Sequence, residues 1–470
     1  MRLRNAILVC LVCGLASMPW GCGKPPDPPR PETTADLDPS LKEAFATALR
    51  AVEENPGNDR SWQELGLTYH ANARPDLAAA CYEVLVARNP GDARVHALRA
   101  MALDDVGDRS GRLESMRKAV EHDPRNVEYQ WQLSRYQLSD GQADQACVTA
   151  EEARSIDGNN VQAAHALAHA LLEAEQDARA ETVLKAWLVK QPGDLHAHHL
   201  LGVALRNQGR ALSARGHVAA GMGSGPDWHG AESRVIETWA RGPQALRTRG
   251  LALVDAGEAD QAVTIFNHLV SGYPDDATLV LNLGMATAAT GDSTTAESLY
   301  EQAVRMDPEL DIAHRQLAGL ELRGRSEAAL RGDADALGQA EAHLRRAQEI
   351  APDSAATNAL LGRVMVLQGR TAEAAELLAK ASIANPGDLQ LGFSTANLLL
   401  DEGRHDDAMS IIEVMRVLRP DDPQLVVLSA AVHSGRGDLE TARTLLQQAQ
   451  RRWPRHPGVK AAITDLEASQ

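Results

Sequence analysis

Residues 59–92 read DRSWQELGLTYHANARPDLAAACYEVLVARNPGD, and the outline of this 34-residue stretch recurs along nearly the whole body of the chain. Prolines mark the recurrence at intervals of 34, with a glycine in one slot. The slots are Pro56, Pro90, Pro124, Gly158, Pro192, Pro274, Pro308, Pro352, Pro386, Pro420 and Pro454. Two longer intervals, 192–274 and 308–352, predict two enlarged units.

Small residues hold fixed places within each repeat. An alanine stands twelve residues before almost every slot, and a glycine often lies five residues before that alanine. Glycine readily ends a helix in the left-handed conformation, and proline cannot continue one. Alanine suits a position where two helices approach closely. Each unit is therefore predicted to be a helix, a turn, a second helix and a proline-marked break.

The repeat resembles the tetratricopeptide family. The residues of the first unit that carry the resemblance are Trp62, Leu65, Gly66, Tyr69, Ala78, Tyr82 and Pro90. The resemblance covers roughly residues 40–456. It implies an all-α, right-handed superhelical solenoid of about eleven helical hairpins with capping helices. In this family the first helix of each unit lines a concave groove.

The repeat boundaries divide the body into two arrays. Residues 40–242 are predicted to form an N-terminal array with an enlarged fifth unit. Residues 243–470 are predicted to form a C-terminal array that ends in a solvating helix. In the enlarged unit Gly221, Gly223 and Gly225 interrupt any helix, and two tryptophans, Trp228 and Trp239, flank a short helical stretch. The 216–242 insertion is either a partner-binding bulge or hinge, or a displaced second helix that the tryptophans pack down.

The first forty residues predict export and a tether. Residues 1–21 combine a basic start with a short apolar run, which is typical of a signal peptide. Gly21-Cys22 resembles a lipoprotein signal, which implies lipidation of Cys22; the alternative is ordinary cleavage. The proline-rich residues 22–39 are predicted to form an extended spacer. The expected location is the extracytoplasmic cell envelope, lipid-anchored with the outer membrane favoured, or otherwise periplasmic or secreted.

The net charge narrows the classes of molecule that the chain is expected to bind. The formal net charge of -17 argues against nucleic acid, whose binding depends on neutralised phosphates. Contact with a membrane is therefore expected only through the lipid anchor.

Cys81 and Cys147 lie two repeats apart, which is too far for a disulfide. Both are predicted to be buried free thiols.

One cluster of polar and aromatic residues stands out as a candidate partner groove. By the groove pattern of the family, these residues face the concave side together: Trp131, Arg135, His165, His169, His196, His199 and Arg206. Imidazoles, an indole and arginines suit hydrogen bonding and stacking with a peptide. A metal site on His165, His169, His196 and His199 is the alternative, although no carboxylate is clearly placed to complete it. A solvated surface is the third possibility.

The sequence predicts a scaffold without chemistry of its own. No catalytic order of residues and no nucleotide fingerprint occurs, and no segment remains to hold a catalytic domain. The expected function is that of an adaptor, not an enzyme and without a cofactor, that binds proteins or peptides during envelope assembly, secretion or polymer export. The alternative is a carrier of a metal or small ligand that uses the histidine cluster.

Overall fold

The computed structural model describes residues 26–33, 37–323 and 325–468. Within these residues the chain forms 26 helices and no strand. Residues 1–21 and Cys22 lie outside the described ranges, so the signal peptide and the lipidation site stay predictions. No helix in the described ranges has the length and apolar character that crossing a membrane requires.

Twenty-two of the described helices form eleven antiparallel hairpins. The first five hairpins pair α2 (Asp59–Ala71) with α3 (Pro75–Arg88), α4 (Ala93–Val106) with α5 (Arg109–His122), α6 (Val127–Ser139) with α7 (Ala143–Ile156), α8 (Val161–Glu173) with α9 (Asp177–Lys190), and α10 (Leu195–Asn207) with α11 (Ala211–Ala220). The other six pair α13 (Pro243–Asp255) with α14 (Ala259–Gly272), α15 (Ala277–Thr290) with α16 (Ser293–Met306), α17 (Asp311–Leu322) with α19 (Ala334–Ile350), α20 (Ala355–Leu367) with α21 (Thr371–Ala384), α22 (Leu389–Asp401) with α23 (His405–Leu418), and α24 (Pro423–Gly435) with α25 (Leu439–Arg452). This number of hairpins agrees with the sequence prediction.

Four further helices lie outside the hairpins. They are α1 (Pro39–Glu54), α12 (Ala231–Thr238), α18 (Glu327–Arg331) and α26 (Pro457–Ala468). Helix α1 packs on α2, and α26 packs on α24 and α25, so both ends of the helical body carry a covering helix. Helix α18 occupies the enlarged turn near residue 330 and buries Leu330 completely.

The first helix of most hairpins is started by a side chain two residues after the proline slot. Asn58, Asp92, Asp276 and Asp422 each accept a hydrogen bond from a backbone N–H of the first helical turn. Such a cap satisfies a backbone donor that the helix itself leaves without a partner. The break after each proline is therefore also the start signal of the next unit.

Small residues allow the two helices of a hairpin to touch. Within the hairpins, the alanines at the twelfth place before the slot are fully buried, as Ala78 and Ala296 show. A Cβ added to Gly66 would lie 2.6 Å from the ring of Tyr82, and one added to Gly284 would lie 2.7 Å from the ring of Tyr300. Each aromatic ring of the second helix therefore rests on the glycine of the first helix.

The hairpins form two stacks rather than one. Consecutive hairpins pack on each other from α1 to α11, which we call the N-terminal array, and from α13 to α26, which we call the C-terminal array. Helix α12 instead packs against α2, at the start of the N-terminal array. The arrays also meet where Tyr273 donates to Asp38 and where α11 packs on α23. Both arrays thus begin at the same end of the molecule.

Two smaller expectations can be compared with the structure. Cys81 and Cys147 are buried free thiols, as predicted, and burial raises the pKa of each. Part of the proline-rich segment differs from a free spacer, because the Tyr69 hydroxyl donates to the carbonyl of Pro29 at 2.9 Å and Arg30 pairs with Glu53. Residues 26–33 therefore contact the first helices of the body.

Candidate functional site: two concave surfaces

The predicted groove residues lie on the first helices of three neighbouring hairpins, but a segment of the same chain covers part of this groove. Residues 222–242, which we call the strap, leave α11 and return along the concave side to α1 and α2. Trp131, His165 and His196 are buried, His169, His199 and Arg135 are half-buried, and Arg206 is exposed. The predicted partner groove therefore already holds a segment of its own chain.

Trp228 anchors the middle of the strap. Its ring stacks on Trp131 with centroids 5.7 Å apart and lies 6.0 Å from the ring of His169. Trp131 is in turn only 1 % exposed. The sequence singled out these three residues, yet gave no sign that they contact one another.

The strap helix α12 is held at its N-terminus by a groove carboxylate. Glu128 accepts hydrogen bonds from the backbone N–H groups of Ala231 at 2.7 Å and Glu232 at 3.3 Å. A negative charge at this end of a helix is favourable, because the first N–H groups lack partners within the helix. A Cβ on Gly230 would lie 2.0 Å from Glu128 Oε1, so glycine makes room for this contact. Glu128 was not predicted, since an acid in a first helical turn is ordinary.

Ionic and amide contacts complete the docking of the strap. Arg94 Nε donates to both carboxylate oxygens of Glu232 at 2.9 and 3.0 Å. Asn72 donates to the carbonyl of Trp239 at 3.2 Å and accepts from the N–H of Arg241 at 2.8 Å. Ile236 is buried in the apolar cluster of the first hairpins. The far end of the strap is therefore held by main-chain as well as side-chain contacts.

The histidine cluster is linked to a half-buried aspartate. His165 Nε2 donates to Asp194 Oδ2 at 2.8 Å, and Trp187 Nε1 donates to the same oxygen at 2.7 Å. Asp194 Oδ1 also accepts the N–H of Ala197 and so caps α10. Burial alone would raise the pKa of Asp194, but these hydrogen bonds lower it to about 2. Asp194 is the carboxylate that the sequence did not place beside the cluster.

The remaining predicted residues divide between internal contacts and solvent. His169 and His196 face each other with Nε2 atoms 2.9 Å apart, and the ring of His199 stacks on His196 at 6.1 Å. Arg135 pairs with Asp104 at 3.1 Å rather than with the strap. Among the described residues no set of three or more His, Cys, Asp or Glu side chains is arranged to hold a metal ion. The metal alternative therefore gains no support from the geometry.

The facing histidines predict a loss of stability in acid. Burial first, and then the charge of His165, lower the pKa of both His169 and His196 to about 4. Above pH 6.5, the ordinary pKa of histidine, both rings are neutral in the folded and in the unfolded chain. As the pH falls from 6.5 towards about 4, the unfolded chain takes up protons that the folded chain does not, so the free energy of unfolding decreases. We expect the urea midpoint of the wild type to fall across this window. The double variant His169→Gln/His196→Gln should show a flatter profile, whereas His268→Gln, an exposed histidine, should follow the wild type. Equal slopes for all three chains would contradict this assignment.

The C-terminal array presents a second concave surface that holds a cavity of about 680 Å³. The lining residues come from α22, α24, α26 and the turns before them: Leu389, Gln390, Phe393, Asn397, Arg419, Asp422, Gln424, Val427, Leu428, His456, Pro457 and Gly458. Phe393 is the fifth residue of α22, and Trp131 is likewise the fifth residue of α6, so both hold the same place in their repeats. This surface was not predicted from the sequence, although Phe393, one of three phenylalanines in the chain, lies at a groove position.

Comparison with known proteins agrees with the helical repeat. Family profiles described as tetratricopeptide repeat match residues 40–102, 137–204 and 333–392 in one case and residues 247–311 in another. Together these segments cover more than half of the chain. A curated relative, "Cellulose synthase 2 operon protein C" from Komagataeibacter xylinus, is 28 % identical over 270 residues. That match covers 55 % of this chain but only 20 % of the relative.

Solved structures with the same kind of repeat also match. PilF of Pseudomonas aeruginosa aligns with 48 % of this chain and 97 % of its own, at 17 % identity and a TM-score of 0.36. YrrB, described as a tetratricopeptide protein with an unusual peptide-binding site, aligns with 42 % of this chain and 97 % of its own, at 18 % identity and a TM-score of 0.35. On the repeat pattern, the eleven hairpins and the matching family profiles, the chain belongs to the tetratricopeptide-repeat family and has the architecture of a scaffold for protein interaction.

Proposed function

We propose that this chain is a lipid-anchored, extracytoplasmic scaffold that binds an extended peptide segment of a partner protein on its C-terminal concave surface. The observation that supports the proposal most directly is the contrast between the two surfaces. The N-terminal groove is filled by the strap, whereas the surface around Phe393 holds a cavity of about 680 Å³. The chain acts without catalysis, as a docking platform.

The chemistry of the cavity suits a peptide. Phe393, Val427 and Leu428 supply an apolar floor, and Gln390 and Gln424 place exposed amide groups beside it. Amide side chains donate to and accept from a peptide main chain, while an apolar pocket takes one anchoring side chain. Arg419 and Asp422 put both charges at the rim. A peptide with one apolar anchor and mixed polar neighbours fits this arrangement.

Two observations support an envelope location. The N-terminal sequence combines a signal-like stretch with Cys22 and a proline-rich segment. The curated relative carries a name that assigns it to a cellulose synthase operon. Export or assembly of an extracellular polymer is therefore the process in which we place the scaffold.

Two measurements on a protein of residues 1–470 test the two parts of this proposal. The chain is expressed with its own first 25 residues, its membrane attachment is measured, and the purified protein is panned against a library of random linear peptides. Binding of the selected peptides is then compared between the wild type, Phe393→Ala and Val148→Ala. Val148 is an exposed apolar residue of α7, in the other array, and serves as the matched control.

We expect Phe393→Ala to raise the dissociation constant of the selected peptides at least tenfold, which corresponds to about 1.4 kcal/mol of binding free energy. Val148→Ala should bind like the wild type, and circular dichroism should show the same helix content in all three. Cys22→Ser should move the chain from the membrane to the soluble fraction. Equal peptide affinity in Phe393→Ala would remove the proposed site, and unchanged membrane attachment in Cys22→Ser would remove the lipid anchor.

A further inference from the structure

The strap contacts the N-terminal groove as a bound peptide would. Its backbone is held by groove side chains far away in sequence: Glu128 accepts from Ala231 across 103 residues, and Asn72 pairs with Trp239 and Arg241 across more than 160. Its side chains enter the groove at separate points, with Trp228 on Trp131 and Glu232 on Arg94. The groove residues therefore recognise both the main chain and the side chains of the strap.

The strap is only lightly buried. In α12 the side chain of Ile236 is 8 % exposed, while Ala231, Arg234, Glu237 and Thr238 are exposed and Trp228 and Trp239 are half-buried. A helix of eight residues is too short to be stable alone in water. The helical form of residues 231–238 therefore depends on the groove, as in segments that fold on binding.

The strap is not itself a member of either helical stack. Helices α11 and α13, which the strap connects, do not stack on each other. The arrays keep two other contacts, between α11 and α23 and between Tyr273 and Asp38. At the start of the strap Gly223 adopts a φ of +75° and Gly225 has open space around it, so the connection bends easily.

We propose that the strap is an internal ligand that closes the N-terminal groove, and that this groove accepts a partner segment of the same chemistry. That segment is a short amphipathic helix with an acidic residue in its first turn, a tryptophan just before it and an apolar residue near its end. Glu128 and Arg94 select the helix start and its acid, and Trp131 and His169 receive the tryptophan. This second site goes beyond the proposed C-terminal surface and does not depend on it.

Because the strap is covalently connected to the groove, it lowers the apparent affinity of the groove for a free peptide. A tethered segment competes at an effective concentration of about 1 mM, so a free peptide of equal intrinsic affinity binds poorly until the strap is weakened. A fluorescent synthetic peptide of residues 222–242 is therefore the appropriate probe. It is titrated against the full chain by fluorescence anisotropy.

The test compares an opened chain with a matched control. The opened chain carries Trp228→Ala/Glu232→Ala, which remove the two side-chain anchors. The control carries Arg234→Ala/Glu237→Ala, two exposed positions of the same helix. We expect the peptide to bind the opened chain at least tenfold more tightly than the wild type or the control. Absence of binding to the opened chain, or equal affinity for all three, would overturn the proposal.

A charge exchange keeps the test valid if the opened chain folds poorly. Arg94 is 42 % exposed in its side chain, so Arg94→Glu leaves the core untouched while it repels Glu232 of the strap. A peptide that carries Glu232→Arg should bind the Arg94→Glu chain at least tenfold more tightly than the unmodified peptide does. Equal binding of both peptides would refute recognition at this position. Phe393→Ala should leave all of these affinities unchanged, which separates this site from the C-terminal surface.

Discussion

Replacing Asp194 by alanine is expected to destabilise the N-terminal array by about 3 kcal/mol or more, since every buried donor without a partner costs roughly 1–3 kcal/mol. The carboxylate accepts hydrogen bonds from His165 at 2.8 Å, Trp187 at 2.7 Å and the N–H of Ala197 at 2.9 Å. The substitution removes all three acceptor contacts at once. The measurement is urea unfolding followed by tryptophan fluorescence, in which Trp187 is itself a reporter.

The chain offers a control for this prediction at the same place of another repeat. Asp388 also lies two residues after a proline slot, and its carboxylate caps α22 by accepting the N–H of Leu391 at 3.0 Å, but the residue is exposed. Asp388→Ala should cost about 1 kcal/mol, as is usual for the loss of a cap. If both substitutions had the same effect, Asp194 would be a cap and nothing more.

The second large effect is expected from Gly221→Ala. A Cβ at this position would lie 2.5 Å from the backbone N of His199 and 2.5 Å from the backbone O of Leu195. Both atoms belong to α10, whose backbone cannot move aside without breaking its own hydrogen bonds. Overpacking of this kind typically costs about 1–3 kcal/mol, and contact with backbone places this site at the upper end. Urea unfolding and circular dichroism provide the measurement.

Gly225 provides the matched control within the same glycine-rich stretch. A Cβ there meets no atom within 4 Å, and its φ is not positive. Gly225→Ala should therefore leave the free energy of unfolding within about 0.5 kcal/mol of the wild type. A similar loss in both variants would mean that close packing at Gly221 is not the reason for glycine there.

At Gly221 and at Asp194, the sequence showed the place of the residue in its repeat but not its contacts with other helices. Gly221, Gly223 and Gly225 of the insertion all predicted a break in the helix, yet the structure requires glycine only at the first two, and for different reasons. Gly221 is required by contact with α10, Gly223 by a φ of +75°, and Gly225 by neither. In the same way, Asp194 was visible as a residue after a proline slot, but its contacts with His165 and Trp187 were not.

The predicted groove residues were placed on the concave side by the repeat, and the structure keeps six of the seven at least half-buried there. What they contact was not predictable. Trp131 and His169 meet Trp228 of the strap, whereas Arg135 pairs with Asp104. A polar and aromatic cluster in a groove looks the same in sequence whether it awaits a partner or already holds part of its own chain.

The sequence by itself determined the helical hairpins, their number, the turn within each repeat and the close helix contact at the alanines. These features depend on interactions within one repeat or between adjacent repeats, so a 34-residue pattern contains them. Only the tertiary structure decided how the two arrays contact each other and that residues 222–242 fill the groove of the first. The contacts responsible join residues far apart in the sequence, 103 positions for Ala231 with Glu128 and 169 positions for Arg241 with Asn72, and no local pattern encodes such a pairing.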